Sequence, residues 1–437
     1  MDNDSININI KDSEVRRRKT KKKKSVSFSP GSIGEKIAEI QIKGRKMGTV
    51  DLPFFFIVAI LLVFGIIMMF SASYAWAISE GYPGIYYAKR QILFGLGGLV
   101  AMFITSRIDY HIFAKKTIAA GIFIIALILM ILVFTPLGRT HGNARRWLSL
   151  GIEFQPSEIM KFAIVTLFSL MLTNNRKRIG DFKKGVLPFV FILLLVTLML
   201  MKQPHLSCTI IICLISVILL FIGGVKIHHL AGIGVGGILG LAAVVLYKMR
   251  VEGFSYFEKR FRSWRDPFSD ISGDTWQTYQ SLVAIGSGGF FGMGLGNSRQ
   301  KFQYLPETKN DFVFSIVCEE LGFVGAATVI ALFAFFVFRG FYIASKAPDK
   351  FGMLMCIGLT SQIGFQAFLN IAVVSNFIPN TGISLPFFSY GGTALMMLLA
   401  QVGIILNISR QALMDVPDET PDKTARRKKV VKAVSKK

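Results

Sequence analysis

The sequence predicts an all-α polytopic membrane protein with about ten transmembrane helices and one long extracytoplasmic loop between spans 7 and 8. Hydrophobic residues make up 52% of the 437 positions, and the mean hydropathy is +0.52. A soluble chain of this length needs far more polar surface. The apolar residues are also gathered into stretches near the ~20 residues that cross a bilayer as a helix.

The candidate spans can be placed in chain order by the polar residues that separate them. They are 53–74, 91–108, 117–136, 156–173, 186–203, 208–224, 230–248, 312–338, 353–373 and 393–409. Lys202 and Pro204 must divide the fifth span from the sixth, since Pro removes a backbone donor and a charge resists hydrocarbon. The first span begins near Leu52 after a long charged segment, so we expect it to remain as an anchor.

Positive charge is concentrated at the two ends of the chain. Residues 1–50 hold 13 Lys and Arg against 6 Asp and Glu, and the net charge of the whole chain is +24. Basic segments beside membrane spans usually stay in the cytoplasm near anionic lipids. We therefore predict basic cytoplasmic tails at 1–50 and 411–437, a membrane domain at 51–410, and membrane lipids rather than nucleic acid as partners of the tails.

The predicted loop at 251–311 is polar and aromatic, unlike the rest of the membrane domain. It holds seven acids and seven bases, and it ends at Glu307 and Asp311, beside the eighth span. With both termini inside, this loop faces outward, where ATP and NAD are absent. A Gly-rich segment at 289–296 therefore favours a re-entrant turn, or a surface that lets a lipid headgroup approach closely, over a nucleotide site.

Several polar residues fall inside apolar spans, where they are costly and often functional. Glu158 and Lys161 are three residues apart and can pair on one helical face. Gln362, Gln366 and Asn370 recur every four residues and form a polar stripe. These groups either join helices or line a cavity that opens outward. The histidines and the four cysteines show no metal-ligand spacing, so a metal site stays unknown.

Several motifs in combination resemble the SEDS family, the group of RodA, FtsW and SpoVE. They are Ala144-Arg145-Arg146-Trp147-Leu148, Phe154-Gln155-Pro156-Ser157-Glu158 with Lys161, Gln280-Ser281-Leu282, Tyr304-Leu305-Pro306-Glu307 with Asp311-Phe312, and Pro379-Asn380-Thr381-Gly382. The run Asn370-Ile371-Ala372-Val373-Val374 is more similar to the FtsW and SpoVE branch. The likeness covers about residues 70–410.

The resemblance implies a ten-span fold and an inverting peptidoglycan glycosyltransferase that polymerises lipid II on the outer membrane face. It assigns the essential acid to Asp311 and implies a class B penicillin-binding protein as partner. The chain departs from the family pattern at His205, where an Asp is common, so any role of that acid is in doubt here. Lys309-Asn310 likewise replaces a common His-Thr pair.

The chemistry implied by the resemblance needs a base for the acceptor hydroxyl and positive charge for the leaving pyrophosphate. We expect Asp311 to be the base, although as a helix cap it would be purely structural and more acidic. The substrate-binding candidates are Arg145, Arg146, Glu158, Lys161, Glu307 and Gln280. Mg²⁺ or another divalent cation held by pyrophosphate and a carboxylate would share the neutralisation.

Two other function classes stay open at this point. One is a flippase for lipid-linked precursors, which would show inverted repeats and ionisable groups at mid-membrane. The other is a non-catalytic scaffold that activates a transpeptidase. The sequence does not distinguish a role in division from one in sporulation or elongation.

Overall fold

The computed structural model describes residues 49–141, 144–149, 151, 153–176, 178–237, 240 and 255–412. Within that part of the chain, eight helices are long and apolar enough to cross a membrane, and a shorter apolar helix joins them. The predicted fold class is therefore confirmed. Both predicted tails lie outside the described residues.

The elements follow the predicted order closely. The helices are α1 (Leu52–Ser79), α2 (Tyr86–Arg107), α3 (Lys116–Leu132), α4 (Pro156–Asn174), α5 (Leu187–Lys202), α6 (Leu206–Gly223), α7 (Ser255–Arg265), α8 (Trp276–Ser287), α9 (Val313–Ser345), α10 (Lys350–Val374) and α11 (Gly392–Gln411). Nine of the ten predicted spans fall on helices. Most of the seventh, 230–248, lies outside the described residues, so the count of ten remains a prediction.

Helix α1 begins where the charged segment ends. Asp51 caps it by accepting the Phe54 backbone N–H at 2.9 Å, and Pro53 occupies the first turn, where no donor is needed. The same carboxylate accepts three hydrogen bonds from two nitrogens of Arg339 of α9, at 2.8 to 3.1 Å. This bidentate pair joins the start of α1 to α9.

The segment predicted as a long loop contains two helices, α7 and α8. Helix α8 packs against the outer ends of α9 and α10, because the Ser281 hydroxyl lies 2.9 Å from that of Ser315 and donates to the Val374 carbonyl at 2.8 Å. The charged residues of α7 make it too polar to span the membrane, and their spacing is typical of a surface helix. The outer segment is thus a folded layer.

The Gly-rich segment after α8 lies against a kink in α9 at Gly322. The backbone N–H groups of Met293 and Gly294 donate to the carbonyls of Glu319 and Glu320, both at 3.0 Å. A Cβ atom at Gly292 would stand 2.2 Å from the Glu320 carbonyl oxygen, so only glycine allows this approach. The segment therefore packs against α9, which the sequence had not indicated.

A small antiparallel sheet was not predicted. It has three strands in the order β1 (Gly138–His141), β2 (Ala144–Ser149) and β3 (Glu153–Phe154). It connects α3 to α4, and its register shifts between Arg139 and Thr140, so that β2 bulges at Arg146.

Candidate active site

The segment 305–312 forms an irregular turn that leads into α9. The N-cap residue of α9 is Phe312, and no side chain caps the helix. Asp311 therefore does not act as the helix cap, which was the structural alternative for this residue. Upstream, the Thr308 hydroxyl donates to the Ala72 carbonyl of α1 at 3.0 Å and ties the turn to the bundle.

The backbone around Asp311 is held by three consecutive carbonyl groups. The Lys309 carbonyl accepts the Tyr390 N–H at 2.8 Å, and the Asn310 carbonyl accepts the Ser389 hydroxyl. The Asp311 carbonyl accepts from Asn370 Nδ2 at 2.7 Å. The Asn370 end of the predicted polar stripe thus positions Asp311 rather than joining two helices.

The Asp311 carboxylate is half-buried and makes no hydrogen bond among the described residues. A Cβ at Gly382, whose φ is +68°, would stand 3.3 Å from Asp311 Oδ2, so glycine keeps this side of the carboxylate open. Burial, and secondly the negative charge of Glu307, raise the pKa of Asp311 to about 6, against the lowering effect of Arg146 and Arg260. The arrangement suits a base that works near neutral pH.

Two arginines from separate elements act on Asp311. Arg146 of β2 donates to the carbonyls of Gln203, at 3.4 Å, and Pro204. Arg260 of α7 donates to the Asn380 carbonyl at 2.5 Å. Sequence reasoning missed Arg260, because nothing in the chain distinguished it from the six other bases of the outer segment.

The 379–382 segment, which accepts the hydrogen bond from Arg260, is also held by α8 and by the start of α6. Asn380 Nδ2 donates to Gln277 of α8 at 3.1 Å, and Asn380 Oδ1 accepts the Gly382 N–H at 3.0 Å. The Ser207 hydroxyl at the start of α6 donates to the Thr381 carbonyl. Gly382 is therefore held beside Asp311 from two sides.

Glu158 and Lys161 form the predicted pair, at 2.8 Å. Lys161 is buried and also donates to Gln366 Oε1 at 2.9 Å, and Gln366 Nε2 donates to the Ser384 carbonyl at 3.1 Å. Glu158, Gln366 and Ser384 line a cavity of about 30 Å³, large enough for one water molecule. Glu158 thus lines this cavity with its charge matched by Lys161.

His205 occupies the turn between α5 and α6 and is buried. Its Nε2 lies 2.6 Å from Gln155 Nε2. Burial, followed by the positive charges of Arg146 and Lys161, lowers the pKa of His205, so the ring is neutral at neutral pH. His205 therefore does not supply the negative charge near Arg146 and Lys161 that an aspartate at this position would supply.

The remaining candidates lie in different surroundings. The Arg145 guanidinium donates to the Thr135 carbonyl, whereas Arg146 donates to the carbonyls of Gln203 and Pro204. Gln280 is buried on α8 without a hydrogen bond to the described residues, and no contact ties it to Asp311. Glu307 is exposed and accepts from Asn310 at 2.6 Å. Arg145 and Gln280 thus gain no support as substrate-binding residues.

The acids near Asp311 do not form a metal centre of their own. Among the described residues, no group of three or more His, Cys, Asp and Glu could hold a metal ion. Mg²⁺ is commonly held by one or two carboxylates together with substrate phosphates. The exposed carboxylate of Glu307 fits that second arrangement.

Comparisons with known proteins place the chain among relatives along most of its length. A family model for FtsW, RodA and SpoVE, described as "Cell cycle protein", matches residues 52–413. Stage V sporulation protein E of Bacillus subtilis is 39% identical over 362 residues, which cover 82% of this chain and 97% of that protein. A probable peptidoglycan glycosyltransferase FtsW of Trichlorobacter lovleyi is 36% identical over 373 residues, or 85% and 96% of the two chains.

A solved structure matches the fold as well. It belongs to a study of structural coordination of polymerization and crosslinking by a peptidoglycan synthase complex. The TM-score is 0.67 at 25% identity, and the match covers 84% of this chain and 99% of that chain.

Proposed function

This chain belongs to the FtsW, RodA and SpoVE family of cell cycle proteins, and from that premise we propose how its outer layer catalyses glycan polymerisation. The protein is a peptidoglycan glycosyltransferase of the membrane, serving cell division or sporulation. Its substrate is lipid II, which it polymerises into glycan strands on the outer face of the cytoplasmic membrane. The site residues and their roles below are our assignment.

One observation carries the assignment of the base. Asp311 is a fixed, half-buried carboxylate with a pKa of about 6, and no described residue forms a hydrogen bond to it. A carboxylate that only stabilised the fold would be paired or capped. Asp311 instead remains available to a proton donor from outside the protein, such as a sugar hydroxyl.

The reaction is an in-line displacement at the anomeric carbon of the donor. The acceptor hydroxyl oxygen forms the new bond to that carbon while its proton passes to Asp311. The bond from the carbon to the lipid pyrophosphate breaks, and the pyrophosphate leaves with the electron pair. Attack from the opposite face inverts the anomeric configuration.

The developing charge on pyrophosphate needs positive groups more than it needs a proton. Arg146 and Arg260, from two separate elements, both act electrostatically on Asp311. A guanidinium matches phosphate oxygens with two parallel hydrogen bonds. Their backbone hydrogen bonds hold them in place before substrate arrives. Glu158 and Lys161 pair with each other, so the charge of Lys161 is already matched.

A divalent cation carried by the pyrophosphate fits this site. Glu307 would hold Mg²⁺ together with phosphate oxygens, and the ion would then add positive charge at the leaving group. Arg146 and Arg260 perform the same neutralisation from the protein side, and Asp311 remains the proton acceptor.

The partner we assign is a class B penicillin-binding protein, which would crosslink the strands made here. A solved relative comes from a complex that coordinates polymerization and crosslinking, and this supports the assignment. The excess of Lys and Arg on the predicted inner side supports placing both termini in the cytoplasm.

The deciding experiment is polymerisation of purified lipid II by the purified protein, alone and with its transpeptidase. We expect glycan strands from the native chain and none from Asp311→Ala. Normal polymerisation by a folded Asp311→Ala would refute the base. A native chain that never polymerises with any partner would favour the scaffold, and transbilayer movement of lipid II without polymer would favour the flippase.

A further inference from the structure

Lys309, two residues before Asp311, has its ammonium group enclosed by the turn between α1 and α2. The Nζ atom lies 3.1 Å from Glu80 Oε1 and 2.8 Å from the Tyr87 hydroxyl. It also lies 4.0 Å from the centroid of the Tyr87 ring and 5.2 Å from that of Trp76. The cation is thus held by a carboxylate, a hydroxyl and two aromatic faces.

The counter-charge of this enclosure is stable. Burial acts to raise the pKa of Glu80, but hydrogen bonds from Tyr87 and Lys309 outweigh it and hold that pKa below its usual range. The Lys309 side chain is only 14% exposed, so solvent screens the pair less than it would a surface pair. The side chain is therefore anchored rather than merely near an acid.

The backbone of Lys309 is fixed as well, by the segment around Tyr390. The Lys309 carbonyl accepts from Tyr390, whose ring meets the Tyr87 ring edge to face at 5.0 Å. Gln91 of α2 holds the turn before and after Tyr390, through the Ser389 carbonyl at 3.1 Å and the Gly391 N–H at 3.3 Å. The outer end of α2 thus sets both anchors of Lys309.

The charge of Lys309 is not among those that act on the Asp311 carboxyl, which are Glu307, Arg146 and Arg260. Any influence of Lys309 on Asp311 must therefore pass through the peptide that joins them. Displacing a catalytic group by about 1 Å can cost about a hundredfold in rate, so the geometry of that peptide matters.

We propose that Lys309 is a positioning residue for polymerisation, which Glu80 and Tyr87 hold so that the 309–311 peptide presents the Asp311 carboxylate to the acceptor sugar. The proposal rests on Asp311 being the base of the proposed function. Lys309 itself takes no part in the chemistry and contacts no reacting atom.

The test compares Lys309→Met, Glu80→Gln and Tyr87→Phe with Lys89→Met, which removes an exposed lysine from the same end of α2. In lipid II polymerisation we expect Lys309→Met to lower kcat by about ten- to a hundredfold with KM changed less than threefold. The pH at which the rate is half-maximal should not move. Lys309→Arg should restore kcat to within about threefold, because arginine can still pair with Glu80.

The double variant Lys309→Met with Glu80→Gln should be no slower than Lys309→Met alone, since the two residues act as one unit. Multiplicative losses, a rise in KM alone, or an unchanged kcat would each overturn the proposal. Tyr87→Phe keeps the ring and removes only the hydroxyl, so it tests the enclosure if Lys309→Met does not fold.

Amide hydrogen exchange gives a readout that does not depend on activity. Exchange in the 308–312 peptide should be faster in Lys309→Met than in Lys89→Met, and equal exchange would contradict the positioning role. If the two variants differ in this way but the native chain never polymerises lipid II, only the proposed function is refuted.

Discussion

Glu307→Gln is the sharpest perturbation of the proposed base. The negative charge of Glu307 contributes to the raised pKa of Asp311, so removing it should lower that pKa from about 6 toward 3.8, the ordinary aspartate value. A glutamine keeps the side-chain length and can still accept the hydrogen bond from Asn310. The substitution therefore changes charge with little change in shape.

The size of the effect follows from the fraction of Asp311 that is ionised. With a pKa of about 6, roughly 10% is ionised at pH 5 and about 90% at pH 7. If the pKa falls by about one unit, the ionised fraction at pH 5 rises to about half. We therefore expect Glu307→Gln to retain about five times more of its plateau rate at pH 5 than the native chain does.

The assay is the rate of lipid II polymerisation from pH 4.5 to 8.5, with saturating substrate and a fixed ratio of transpeptidase. The matched control is Asp266→Asn, an exposed acid of the same outer layer that does not act on Asp311. The native and control profiles should rise together through about pH 6. A profile without a rise in that region, or one that Glu307→Gln leaves unchanged, would refute the assignment of Asp311 as base.

Three further outcomes are expected. Asp311→Asn should abolish polymerisation yet raise the thermal midpoint at pH 7.5. The pKa of Asp311 is raised in the folded state, so its ionisation at pH 7.5 lowers the free energy of unfolding by up to about 3 kcal/mol, which asparagine avoids. An unchanged midpoint at pH 7.5 would contradict this. Arg260→Met should slow polymerisation about tenfold or more at saturating substrate, whereas the exposed Arg262→Met should not, and equal rates would remove Arg260 from the site. The pKa of His205 is lowered in the folded state, so its contribution to stability is present above pH 6.5 and is lost as the pH falls below that value. The thermal midpoints of the native chain and of His205→Gln should therefore diverge between pH 7.5 and 5.5, with that of the native chain falling more.

The spans and the ends of the bundle could be predicted from the sequence because hydrocarbon imposes a length and a polarity on each helix. The Glu158 and Lys161 pair followed from helical spacing alone. The environment of Asp311 did not. Its place before a helix suggested a capped, more acidic carboxylate, but Phe312 takes the cap position and burial raises the pKa of Asp311.

The residues that complete the site come from distant segments and carry no local signal. Arg260 lies on a polar helix whose docking depends on the Asn380 carbonyl, over a hundred residues further along the chain. The different hydrogen-bond acceptors of Arg145 and Arg146 depend on a strand that turn and span patterns did not indicate. Such tertiary placement is beyond what periodicity and spacing can predict.

The kink at Gly322 separates two mechanical roles within α9. The stretch from 323 to 345 is about 23 residues, or roughly 35 Å of helix, which is sufficient by itself to cross the hydrocarbon. The ten residues before it belong to the outer layer that carries Asp311. A helix that is long enough by itself can meet a change in bilayer thickness by tilting, so we expect the catalytic rate to depend little on lipid chain length.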